Sequence, residues 1–543
     1  MKRFYSATAL GLILSATPVV AEITPESVWE QMGRYFEANG FTVENAALDE
    51  SGDTLTVRDF RVRQQVPDSD LQISFGDMVL TDNGDGTVSL NMSDEAAGTI
   101  LMQVPVPPEE DAVQAADGAA EAADEDVAAA PTEDAAEAPA DPATEAVAEM
   151  ETRPVEVAFT LKVPGDSTTI SEDGAAYVYD YAFPSLEVSL DRLQVEDEEP
   201  KEDLGRLTVT EIKGTDRIQE DGPLTLHQDV TAATMAIDFA FEDEDVSFTT
   251  SMKAAGIDVI SDLIVPEGSN MGADIVAALG SGLDISGKTE IGEFQADFDV
   301  VNKTGESEGA GGKASWDSQD LAVDFGLSGD ELRYAGSAGV FSVDANLASS
   351  NMPIAYSADS AKFDVAIPVA AKPDPQDFHA NYGFQGLELS ESLWSMFDPQ
   401  AALPRDPASL DVDIDGQAIL NMNLLDPEAM EASTTPGQVK LLNINNIALS
   451  MLGADAKITG RLEGTEGSNL ASPVGTVSGR FEGVNGLLDK LASAGLIPEE
   501  QMMGARMMLM MFAQPDAENP EVLTTELEFR EGGAVFANGQ QVK

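Results

Sequence analysis

Three short segments hold residue types that could do chemistry. Asp411-Val412-Asp413-Ile414-Asp415-Gly416 spells the first half of a calcium loop. Such a loop offers oxygens at alternate positions and closes on a glutamate at its twelfth position. The twelfth residue here is Met422. Val412 and Ile414 fit better as the buried side of a strand whose aspartates point to water. A row of three carboxylates there could hold only a weak cation. The segment Asp82 to Asp85 fails the same test and reads as a turn.

Gly305-Glu306-Ser307-Glu308-Gly309 matches the spelling of a nucleophile elbow. An elbow needs a strand before it and a helix after it. A glycine-rich run follows instead, and two glutamates oppose ionisation of the serine, so the segment reads as a hairpin loop. The chain has two histidines, His227 and His379, and no cysteine. Zinc and thiol chemistries therefore lack parts. His379, in Asp377-Phe378-His379, reads as a structural histidine beside a strand. The 98 acidic residues could include a carboxylate pair for glycoside hydrolysis, but no pair stands out. There is no phosphate loop, dinucleotide fingerprint or metalloprotease motif. The reading is a non-enzymatic protein with no cofactor and no metal. A secreted hydrolase using paired carboxylates is the alternative.

The third segment is apolar. Met502, Met503, Met507, Met508, Met510 and Met511 crowd one short stretch that Pro498 opens. Methionine fills irregular gaps in cores and also lines adaptable grooves for hydrophobic partners. Apolar residues cover most of the circumference of this helix, which predicts burial on more than one side. At the mouth of a groove, Met503, Met507, Met510 and Met511 would instead be the hydrophobic contact.

The elements that must position these residues are mostly strands. Val155, Val157, Phe159, Leu161 and Val163 alternate with polar neighbours. So do Ile237, Phe239 and Phe241, then Phe294 to Val300, Leu321 to Leu327, Phe363 to Val369, and Leu410 to Met422. Period two with one apolar side is the pattern of antiparallel sheet covered on one face. Near the start, Thr24 can cap a helix with Pro25 in its first turn and Val28, Trp29, Met32, Tyr35 and Phe36 along one stripe. Short helices are expected at 271–279 and 392–397, and longer ones at 486–494 and from Pro498. The fold class is mainly β: one large twisted antiparallel sheet, or two packed sheets, with a few covering helices. No fixed-length repeat is visible.

Composition bounds the rest. Met1-Lys2-Arg3, the apolar 10–14 and Pro18-Val19-Val20-Ala21 make a secretory signal peptide cut after Ala21. That places the mature chain in the periplasm. The apolar stretch is too short to span a bilayer, which needs about 20 residues, and no other segment is apolar enough to cross one, so the mature chain is expected to have no transmembrane span. A net charge of −69 repels nucleic acid. Residues 107–153 are Ala, Glu, Asp and Pro with almost nothing large, and read as a disordered insertion between neighbouring strands. The chain then divides into 1–21, 22–106 (helix and first strands), 107–153, 154–400 (central antiparallel region) and 401–543 (C-terminal strands with Leu/Met-rich helices). An acidic outer-membrane barrel is a further alternative, although aromatic residues are sparse for two girdles.

A resemblance becomes visible in the C-terminal third. Gly460-Arg461-Leu462-Glu463-Gly464, Pro473-Val474-Gly475-Thr476-Val477-Ser478-Gly479, Leu487-Leu488-Asp489-Lys490-Leu491 and Gly495-Leu496-Ile497-Pro498 precede the Met-rich helix and a hairpin ending Asn538-Gly539. This resembles the exported bacterial family called domain of unknown function 2125. It is more distantly similar to envelope β-proteins of the AsmA and YdgA kind. Gly52 to Val57 and Asp85 to Val88 fit the same style. The first resemblance carries over no catalytic residues. The second implies long twisted sheets with an apolar groove that handles lipid, and so a lipid or other envelope component as partner.

Overall fold

The computed structural model describes residues 23–66, 69–105, 152–196, 198–220, 222–269, 275–304, 311–347, 352–432, 435–465, 470 and 472–543. The segment that reads as a signal peptide, the body of the acidic tract and the Gly305–Gly309 motif lie outside them.

Alternating apolar and polar residues build one antiparallel sheet of 27 strands, not two packed sheets. The path is an up-and-down meander. Each strand, or in-line pair of short strands, lies beside the one that precedes it in the chain. Ala176–Val195 pairs with Lys201–Gln219, then come Leu224–Glu242, Val246–Val265, Asp284–Asn302 and Gly311–Ser328. Glu331–Ala338 and Phe341–Leu347 continue in line, and both pair with Gly311–Ser328. Among the described residues no ladder joins the first strands to the last, so the sheet has two free ends. Glu95–Pro105 pairs directly with Thr152–Lys162, so the ends of the acidic tract emerge side by side.

A row of irregular residues crosses the sheet at right angles to the strands. Asp59, Gly76, Glu211, Gly256, Asp320 and Gly386 all have positive φ. Their neighbours in register fall in the same band. Gly256 faces the gap beside Gly292, and Gly292 faces Asp320. Along each strand the apolar residues skip a step at this band: Val57 to Phe60, Phe75 to Met78, Val209 to Ile212, Ala254 to Ile257, Ile291 to Phe294. An extra residue in a strand, often left-handed, restores the side chains beyond it to the original side. Val57 and Phe60 do lie in one buried cluster, with Phe75 and Met78 packed in or against it. The band therefore lets strands of up to 20 residues bend while keeping one apolar side.

Helix Pro25–Ala38 closes one end of that side. Thr24 and Ser27 form a reciprocal cap. Val28 is fully buried, and Trp29 and Phe36 pack on Phe60 with ring centroids 5.6 and 5.9 Å apart. Each fully buried side chain of this size contributes about 1.5–3 kcal/mol. Helix Ile275–Gly280 covers a second patch, burying Ala278 and Leu279 against Leu224, Leu263, Ile285 and Leu327. Among the described residues no helix is long and apolar enough to cross a membrane.

The Met-rich helix, Glu499–Phe512, departs from the burial on several sides that its composition predicts. It stands outward, with Met503 68% and Met510 78% exposed, and Met507, Met508 and Met511 also exposed. It leans on helix Val484–Ser493, where Arg506 meets Asp489. Burial on several sides needs elements around a helix, and this one lies beyond the last long strands with few neighbours.

Candidate functional site: the apolar side of the sheet

The register sorts the strands from Ala176 to Leu389 into two sides of opposite character. One carries Asp191, Asp238, Asp297, Asp299, Asp317 and Asp344 beside serines, threonines and a few lysines. Many of these groups are already engaged: Asp299 pairs with Lys313 at 2.7 Å and Asp238 accepts from Ser251 at 2.8 Å. A shallow trough of about 1210 Å³ lies on this polar side. The other side carries Leu190, Leu207, Ile237, Phe239, Phe248 and Phe298. Between Phe159 and Phe239 it forms a recess of about 380 Å³ lined almost wholly by aliphatic and aromatic side chains.

Aromatic pairs run along this apolar side. Phe239 and Phe248 are 5.9 Å apart, Phe294 and Trp316 5.0 Å, Tyr334 and Phe363 4.9 Å. Such pairs add about 0.5–1.5 kcal/mol beyond simple burial. Parts of this side are nonetheless open to solvent: Tyr334 is 50% and Tyr382 54% exposed, with Trp316, Val323, Phe325 and Val365 also exposed. Contiguous apolar surface of this kind marks a place for a hydrophobic ligand, partner or membrane.

One transverse row shows how this side changes along its length. Ile444, Ile414, Ala380, Val365, Tyr334, Phe325 and Gly287 follow one another in register. The row then turns polar at Ser261, Gln228, Asp216 and Tyr179, and ends on buried Ile170. Asp216 is the one charged residue on this side in the body of those strands. Lys201 stands at a rim, over the ring of Phe241. Ser261 donates to Gln228 at 3.0 Å, and the Tyr181 hydroxyl donates to Asp216 at 3.2 Å. Tyr181 reaches Asp216 because its ring lies flat across Gly214, where a Cβ would stand 2.4 Å from it. Burial raises the Asp216 carboxyl above its usual range, against the lowering effect of hydrogen bonds from Gln228 and Tyr181. Burial likewise raises the Tyr179 and Tyr181 hydroxyls, the charge of Asp216 adding to it.

The residues singled out in the sequence sit elsewhere. Asp411, Asp413 and Asp415 project from the polar side and do not converge on a cation. Asp411 binds Asn446 and Lys362, Asp413 binds Asn445, and Asp415 binds Asn443 and Asn445. Those bonds hold Asp411 and Asp415 below the usual carboxylate range. Among the described residues no group of three His, Asp or Glu side chains is arranged to hold a metal ion. His379 meets Asp364 at 3.0 Å, and Arg333 grips both oxygens of that carboxylate at 3.1 Å. His227 meets Asp262, its neighbour in register, at 2.7 Å. The motifs of the sequence do not single out Asp216, Gln228 or Ser261. Their signal is a polar residue at an apolar phase position, between Gly214 and Ile218 and between Leu226 and Val230, and it becomes legible only once the strands are paired.

No curated protein and no solved structure matches this chain. The early segments Gly52–Val57 and Asp85–Val88 lie outside the part that a known family covers. Residues 291–538, from Asp284–Asn302 through the Met-rich helix to the closing hairpin, match the family described as uncharacterized protein conserved in bacteria (DUF2125), the family that the C-terminal glycine and leucine motifs resemble.

Proposed function

We propose that this chain is an exported, non-enzymatic β-protein of the periplasm that binds hydrophobic envelope material, lipid first, along the apolar side of its sheet. The observation that carries the reading is the run of half-exposed aromatic and aliphatic side chains from Phe239 to Tyr382, with the recess near Phe159 at one end. The opposite, carboxylate-rich side keeps such a molecule soluble. The N-terminal segment that reads as a leader sequence argues in the same direction. Met503, Met507, Met510 and Met511 supply a second apolar contact on an outward-facing helix. The test is extraction of the mature protein, purified without detergent, and mass spectrometry of what it carries. Stoichiometric lipid is expected. A lipid-free protein that also fails to bind added lipid would overturn the reading.

A further inference from the structure

Resting on that reading, we propose that the preferred occupant of the apolar side is an amphiphile with a primary ammonium headgroup, which Asp216 receives. Asp216 is the single carboxylate in the body of this side from Ala176 to Leu389, and no lysine or arginine pairs with it among the described residues. A carboxylate set in apolar surroundings is costly unless a cation meets it. An ammonium group can donate three hydrogen bonds, the charge-assisted kind being roughly twice as strong as neutral ones. Gln228 and Ser261 follow Asp216 in the same row and offer further oxygens to those donors. Helix Pro25–Ala38 closes the face beyond Tyr179, so the polar row stands where covered surface gives way to open surface. A tail leading away from it meets Gly287, Phe325, Tyr334 and Val365. An anionic headgroup would meet a carboxylate with no basic residue beside it, in a chain of charge −69.

The experiment compares dodecylamine, dodecanol and dodecanoic acid by calorimetry at pH 7 and 0.5 M salt, where surface charges are screened. The full mature protein, Asp216→Asn and the polar-side control Asp238→Asn are titrated in parallel. The wild type and Asp238→Asn should bind dodecylamine about tenfold more tightly than dodecanol, worth about 1.4 kcal/mol. Asp216→Asn should lose that preference while binding dodecanol unchanged. An Asp216→Asn protein that keeps the amine preference, or a wild type that binds dodecanol as tightly as the amine, overturns the assignment of Asp216 and leaves the apolar site standing. A wild type that binds none of the three overturns the binding reading itself.

Discussion

Gln31, fully buried, accepts the hydroxyl proton of Tyr179. Its amide nitrogen donates to Glu220 at 3.0 Å, and Glu220 also holds Arg34 at 2.7 Å. The first helix is thus fixed to the sheet by a polar clamp as well as by Val28, Trp29 and Phe36. The clamp joins residues 148 and 189 positions apart in the chain.

The first prediction concerns this clamp. Gln31→Ala leaves the Tyr179 hydroxyl and one Glu220 oxygen without their partner, which should cost about 1–3 kcal/mol. Tyr179→Phe should cost less, about 1 kcal/mol. The double variant Gln31→Leu with Tyr179→Phe should recover part of the loss, because the Tyr179 hydroxyl is then no longer stranded and only the Glu220 oxygen remains without its partner. Urea unfolding of the three variants checks the order.

The second concerns pH. Burial raises the folded Asp216 carboxyl above its ordinary value of 3.8, with Gln228 and Tyr181 opposing. The ionised form is the one the fold disfavours. The stability linked to this group is therefore full below about pH 3.8 and is lost as pH rises through the higher folded value. Tyr179 and Tyr181 face it from the neighbouring strand and Tyr35 from the helix, and burial raises these hydroxyls further above their ordinary value, so they do not titrate in this range. Asp216→Asn should gain stability relative to wild type between pH 4 and pH 7. Paired denaturation curves across that range measure it, and a constant difference would contradict it.

The third concerns the transverse band. Gly256 has a φ of +65°, and a Cβ placed there would meet its nearest atom only at 3.7 Å, so space is not the constraint. Gly256→Val should cost about 1–2 kcal/mol from conformation alone. Asp320 already bears that cost at a φ of +51°. Asp320→Gly should leave the melting temperature unchanged or raise it. Thermal melts of the pair separate the two directions.

The fourth concerns the acidic tract. Pro105 and Thr152 are partners in register, with 46 residues between them. Closing a loop costs about 0.6 kcal/mol for each doubling of its length. Replacing 106–151 with a turn of about six residues removes roughly three doublings, so the shortened protein should keep its β-rich circular dichroism and gain up to about 2 kcal/mol. Loss of cooperative unfolding would show that the tract packs on the sheet.

Much of the architecture is written in local patterns. Alternation along Phe294 to Val300 or Leu410 to Leu420 predicts a strand with one wet side, because successive side chains in a strand point to opposite faces. Thr24-Pro25 predicts the first helix, because its cap and first turn are satisfied by adjacent residues. These features depend on neighbours in the chain. The exposure of Glu499–Phe512 is not legible there, because it depends on which elements surround a helix rather than on the helix itself. The skip at Asp59 and Gly256 is present as an apolar spacing of three, but only pairing shows that the skips align into one band. The same holds for Asp216. By sequence it is one acid among 98, and by register it is the lone charge on an apolar surface. Periodicity sets which way a side chain points along its own strand. Only hydrogen-bonded pairing with strands far away in the chain sets what it points at.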